Sequence, residues 1–192
     1  MLKQLYEWVL KLGEKKGGTY ALSLISFIEA SFFPIPPDPL LLALCLGKPK
    51  KSIYFGIICS IFSVLGAILG YYIGFGLWQL LDSFFFDHVF SVSAFEYVNQ
   101  KYTENAFLAV LGAAFTPIPF KVFTVSAGVF KINLFVFIIA CSIGRSARFM
   151  ILSVLILFFG QKIKVFIDKY FNILAIIFFL LLILGFILLK KL

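Results

Sequence analysis

Phe33-Pro34-Ile35-Pro36-Pro37-Asp38 and Phe115-Thr116-Pro117-Ile118-Pro119-Phe120-Lys121 carry nearly the same message twice. Each is a proline-rich break beside a charged side chain, set between apolar segments shorter than the roughly 20 residues a helix needs to cross a hydrocarbon layer. Proline lacks the amide that an inner helical turn donates, and it pushes the preceding residue out of helical geometry. Within a membrane, such irregular backbone persists only where protein buries it or where it lines a wet cavity. The pair therefore predicts a polar site between two broken elements.

Composition puts these breaks in a membrane. The chain is 62% hydrophobic and 14% charged, with 26 Phe in 192 residues and a mean hydropathy of +1.06. A soluble core of this size cannot hide that much apolar surface. The net charge of +8 would suggest nucleic acid in a soluble protein. Here the lysines flank apolar segments, where they orient helices and meet anionic lipid, so nucleic acid is not an expected partner. Cys45, Cys59 and Cys141 lie in apolar segments without metal-ligand spacing, which supports neither a disulfide framework nor a metal, and no cofactor is expected.

Outward from the breaks, the chain reads as one integral membrane domain over 1–192. Residues 1–16 form an amphipathic interfacial helix, interrupted by Glu7 and Lys11 and so unlike a secretory signal. Residues 18–48 form a re-entrant hairpin with basic residues on both flanks, Lys15 and Lys16 before it and Lys48, Lys50 and Lys51 after it. A span follows over 52–81, with Gly66, Gly70 and Gly74 on a small-residue face that invites another helix backbone or a second copy of the chain. An acidic loop over 82–105, expected to include a short interfacial helix, contains His88, the single histidine, read as solvent-exposed; Trp8 and Trp78 are interface anchors. A second hairpin over 106–131 enters from the opposite face, and spans over 132–160 and 170–189 complete the chain. The expected fold is thus all-α and polytopic: two opposed re-entrant hairpins forming an inverted repeat, about three spanning helices, and an N-terminal amphipathic helix.

Five ionisable side chains fall at membrane depth. Arg145 and Arg148 sit near the centre of 132–160 and share a helix face at i and i+3. An arginine at a helix centre costs roughly 2.5 to 3.5 kcal/mol, so the two require about 5 to 7 kcal/mol of pairing or wetting. Glu29 and Asp38 on the first hairpin are the available partners, and Lys121 on the second brings the group to a sum of +1. A leftover cation in a low-dielectric slot favours an anion such as a lipid phosphate. Arg145, Arg148 and Lys121 are therefore the candidate substrate-binding residues, and Glu29 and Asp38 the candidate ion-pair or proton-coupling groups. Pro34, Pro36, Pro37, Pro117 and Pro119 make the breaks. No zincin helix motif, nucleophile elbow, Walker loop or His/Asp set is present, so the chain is not read as an enzyme.

These motifs resemble the DedA superfamily, related to the eukaryotic VTT-domain proteins, and within it the short YqaA-like branch. The resemblance rests on Glu29 before Pro34-Ile35-Pro36-Pro37-Asp38, Gly66-xxx-Gly70-Tyr71, the second break leading to Ala127-Gly128, and Gly144-Arg145-Ser146-Ala147-Arg148-Phe149. It implies two facing re-entrant hairpins and movement of lipids between leaflets. Bacterial members are tied to undecaprenyl phosphate recycling and to the proton-motive force, which implies the cytoplasmic membrane as the location. The family's acidic positions correspond to Glu29 and Asp38. Its second hairpin normally reads Arg-Phe-x-Pro-x-x-x-Arg, whereas this chain has Ala114-Phe115 and then Lys121. Arg145 and Arg148 would then supply the missing charge from the neighbouring span. The expected function is a flippase or scramblase of anionic lipid phosphates. The alternatives are a non-transporting membrane organiser and a proton-coupled small-solute carrier.

Overall fold

The computed structural model describes residues 17–32, 36–88, 92–116, 119–160 and 162. The expected helix at 1–16, the span at 170–189 and the break residues Pro34 and Pro117 lie outside them. The described elements are helices. The first hairpin comprises α1 (Gly18–Ser31) and α2 (Asp38–Gly47); after a 3-10 turn (Pro49–Lys51), the long helix α3 (Ser52–His88) follows. Next come α4 (Val92–Glu104), the second hairpin as α5 (Ala106–Phe115) and α6 (Phe120–Val129), and the long helix α7 (Leu134–Gly160).

The breaks fall where proline dictates. Helix α1 ends at Ser31 and α5 at Phe115, each just ahead of its Pro-Ile-Pro stretch, and Pro37 and Pro39 frame the first turn of α2, where no amide is needed. None of the four arms can cross a bilayer alone, whereas α3 over Pro49–Leu80 and α7 both can. Helix α3 continues past the expected end at 81, so the stretch read as an acidic loop contains the end of α3 and all of α4.

The arms pack on the long helices in a crossed arrangement. Helix α1 runs parallel to α3: Gly66 lies against the Phe27 backbone and Gly70 near the Ala30 carbonyl. Helix α5 packs on α7 through Gly144, which faces Leu111 and Ala114. The second arms change partners. Helix α6 lies on α3, with Thr124 over Gly70 and the Val125 carbonyl over Gly74, while α2 packs on α7 through Leu41, Leu44 and Phe149. Gly66, Gly70 and Gly74 thus each meet another helix. At Gly66 and Gly74 a Cβ would overlap a backbone carbonyl, so closer side chains are excluded. Helices α3 and α7 run antiparallel, joined by Gly56 against Ser153 and by the Tyr71 hydroxyl donating to the Ile132 carbonyl at 2.8 Å.

A repeat that the hairpins alone do not reveal marks this symmetry. Phe-x-Ile-x-Cys-Ser-Ile occurs at 55–61 and again at 137–143, and in both copies the Phe and Cys are buried. Two apolar cores result. One gathers Ala30, Tyr71, Val110, Phe120 and Phe137 around the second hairpin; the other gathers Leu22, Leu41, Leu44, Cys59 and Phe149 around the first. Helix α4 caps one end, where Phe95 stacks on Trp78 at 4.6 Å and the Tyr102 hydroxyl donates to the Phe123 carbonyl at 3.0 Å. Burial pushes the Tyr102 phenol up from its ordinary value.

Candidate functional site

The polar cluster lies where the two cores meet. Glu29 is two residues from the end of α1, and Asp38 is the first residue of α2, where open amides and the helix dipole favour a carboxylate. Their partners come from α7. Arg145 Nη2 donates to Glu29 Oε2 at 2.6 Å. Arg148 Nε and Nη2 both donate to Asp38 Oδ1, at 3.1 and 3.0 Å.

The two pairs differ in surroundings. Arg145 and Glu29 are 3% and 14% exposed, whereas Arg148 and Asp38 are each 18% exposed. The Arg145 guanidinium lies 4.0 Å from the centre of the Phe120 ring and 5.5 Å from that of Phe149, one ring from each core. Its Nε has no hydrogen-bond partner, so aromatic faces stand in for one donor's acceptor. Arg145 is thereby fixed on three sides. Arg148 faces an apolar groove of 530 Å³ lined by Pro36, Pro39, Leu42, Phe115 and Ile151, with Asp38 beside it. Its remaining nitrogen, Nη1, donates to the Thr116 carbonyl at 2.7 Å. That carbonyl lies at the break of the second hairpin, where Thr116 turns extended at the end of α5. One guanidinium therefore holds the first residue of one returning arm and the last turn of the opposite entering arm.

Lys121 is the fifth of the expected group. It is half-buried in the first turn of α6, and among the described residues the ion pairs are Arg145–Glu29 and Arg148–Asp38, neither of which includes it. Four of the five expected side chains thus form two neutral pairs, and Lys121 is in neither. Of the break prolines, Pro36 is exposed and lines the groove, Pro37 is buried ahead of α2, and Pro119 precedes α6.

Three partners escape sequence reasoning: the rings of Phe120 and Phe149 and the Thr116 carbonyl. A backbone carbonyl carries no residue signature, and Phe120 and Phe149 sit inside the quoted motifs with nothing to show that their rings meet an arginine. The repeat offers a usable signal. Aligning the two Phe-x-Ile-x-Cys-Ser-Ile copies puts Ser63 and Gly66 of α3 opposite Arg145 and Arg148 of α7, and aligning the breaks puts Lys121 opposite Asp38. The halves match in backbone plan and differ in charge, and the Arg145–Glu29 and Arg148–Asp38 pairs each join one half to the other.

Residues 35–158 match the family model described as the VTT domain, the domain of the DedA family. The matched stretch contains Asp38, Lys121, Arg145 and Arg148 and begins after Glu29. The chain is similar to an uncharacterized protein of Haemophilus influenzae, at 35% identity over 82% of both chains. It is also similar to an uncharacterized protein of Histophilus somni, at 29% identity over 82% of both. No solved structure matches it.

Proposed function

Because the chain belongs to the VTT domain family, we propose that it moves lipids between the leaflets of a membrane, taking up a phosphate headgroup where the two hairpins meet. The observation that carries this reading is Arg148, which bridges Asp38 and the Thr116 carbonyl beside an apolar groove. The groove suits a lipid tail, and a planar guanidinium fork matches a phosphate in two-pronged geometry. In this reading both hairpins are re-entrant and the membrane is the bacterial cytoplasmic one.

The pairs are neutral, so the headgroup binds by exchange: phosphate replaces Asp38 on the Arg148 fork. Asp38 then takes a proton or turns to the wet side, and its return expels the phosphate. Arg145 and Glu29 hold α7 in place while this happens. Lys121 sits outside the pairs and acts as a secondary attraction for the headgroup. Because Arg148 touches both hairpins, loading and release of its fork alter how the two breaks are tied together.

The decisive experiment is reconstitution into vesicles with a leaflet-resolved assay of labelled lipid phosphates. Arg148→Ala is expected to abolish translocation while the thermal midpoint stays within a few degrees of the parent, since this pair is partly solvated. Translocation at the parent rate in Arg148→Ala would end this reading. The completeness of the Arg148 contacts favours one alternative, a non-transporting organiser in which the bridge is purely structural. In that case Arg148→Ala lowers stability, and the parent protein moves no lipid.

A further inference from the structure

A second groove, of 720 Å³, lies between α1 and α3 and shares no lining residue with the Arg148 groove. Because α1 and α3 run parallel, their first turns lie side by side. The hydroxyls of Thr19, Tyr20 and Tyr54 therefore gather at one end of the groove, and Leu24, Phe27 and Phe62 line it further along. Tyr20 and Tyr54 are strongly exposed, as expected of aromatic side chains at a membrane boundary.

The hydroxyl end is also the cationic end. Lys50 and Lys51 precede Tyr54 by four and three residues and sit in the 3-10 turn that leads into α3, which puts them about one turn outside the groove mouth. Both are exposed, and neither is paired with an acidic side chain among the described residues. In one direction the surface thus grades from ammonium groups to hydroxyl-bearing rings to purely apolar walls. A phospholipid has the same order, from phosphate through ester oxygens to acyl chain.

We infer that this groove is a binding site for an anionic phospholipid, its phosphate against Lys50 and Lys51 and one acyl chain along Leu24, Phe27 and Phe62. The charge decides the class. Two lysines at a membrane surface each favour an acidic headgroup, together by roughly thirtyfold over a zwitterionic one. The site is independent of the transport reading, because no step at Arg148 is needed to fill it.

The test uses the full chain with Trp8 and Trp78 changed to Phe and a single reporter, Phe62→Trp, in vesicles that contain brominated phosphatidylglycerol or brominated phosphatidylcholine. Bromine on the acyl chain quenches the indole at short range, so quenching beyond the random-mixing level reports that lipid in the groove. Phosphatidylglycerol is expected to occupy the reporter site with roughly thirtyfold the affinity of phosphatidylcholine, which should quench no more than random mixing allows. Changing Lys50 and Lys51 to Gln should bring phosphatidylglycerol down to the phosphatidylcholine level, whereas Arg148→Ala should leave the preference intact. Tyr54→Trp provides a second reporter at the groove mouth should Phe62→Trp fail to fold. Equal quenching by both lipids, or a preference that survives loss of both lysines, would overturn the inference.

Discussion

Replacing Glu29 with Gln removes the counter-charge of Arg145 and keeps the shape of the side chain. Arg145 is 3% exposed, its Nε is already without a partner, and the Phe120 and Phe149 rings close over the guanidinium. Water cannot readily take the place of the carboxylate. Breaking a buried ion pair from one side costs about 3 to 5 kcal/mol, and the cation–π contact, worth up to about 2 kcal/mol when desolvated, is already present in the parent and does not offset the loss. At about 2 to 4 °C per kcal/mol for a chain of this length, the thermal midpoint should fall by about 6 to 20 °C. The three cysteines, Cys45, Cys59 and Cys141, are all buried, so a thiol-reactive dye in detergent is silent until unfolding and reports the midpoint directly. The double variant Glu29→Gln/Arg145→Met should recover a large part of the loss, because a buried pair can be exchanged for apolar packing where a lone charge cannot be left. A fall of less than about 2 °C in the single variant, or a double variant less stable than the single, would refute this account of Arg145.

Gly66→Val should abolish or severely weaken folding, because a Cβ there already overlaps the Phe27 carbonyl of α1; Gly76→Ala, with nothing within 4 Å, should keep the fold and raise the midpoint slightly in the same assay, because alanine is the better helix former. Lys131 is the one non-glycine residue with positive φ among those described, at 52°, so Lys131→Gly should stabilise by about 1 kcal/mol, seen as a midpoint higher by a few degrees. Tyr102 is held protonated by burial and donates to the Phe123 carbonyl. Its folded-state value lies above the unfolded one, so its contribution is full below pH 10 and is lost as the pH rises beyond that. Phenolate absorbance should show one tyrosine ionising together with release of α4, and a titration in which every tyrosine ionises before any structural change would contradict it.

Much of the scaffold is visible in local sequence. Pro-Ile-Pro stops α1 and α5 where it stands, because proline acts on its own residue and the one before it. Gly66, Gly70 and Gly74 could be picked out as a packing face because small residues at helical spacing have few other uses there. The end of α3 could not be placed, since nothing after residue 81 forbids helix, and the helix runs on to His88. Lys121 shows the limit for the site. Its sequence context is the same as that of Asp38, yet it joins neither ion pair.

The sequence by itself determined that this is an apolar helical chain with two proline breaks and buried charge that demands compensation. Hydropathy, proline geometry and ion solvation act on a residue and its near neighbours, so they can be read in order along the chain. Only the tertiary structure decided which cation meets which anion, that Arg145 is enclosed by aromatic rings, and that Arg148 faces a groove and grips both breaks. Those partners are separated by 116 and 110 residues, and the pairing depends on how α1, α2 and α5 cross α7. Side-chain reach is a few ångströms, so a shift of one helical turn in that packing would select a different partner and leave the sequence pattern unchanged.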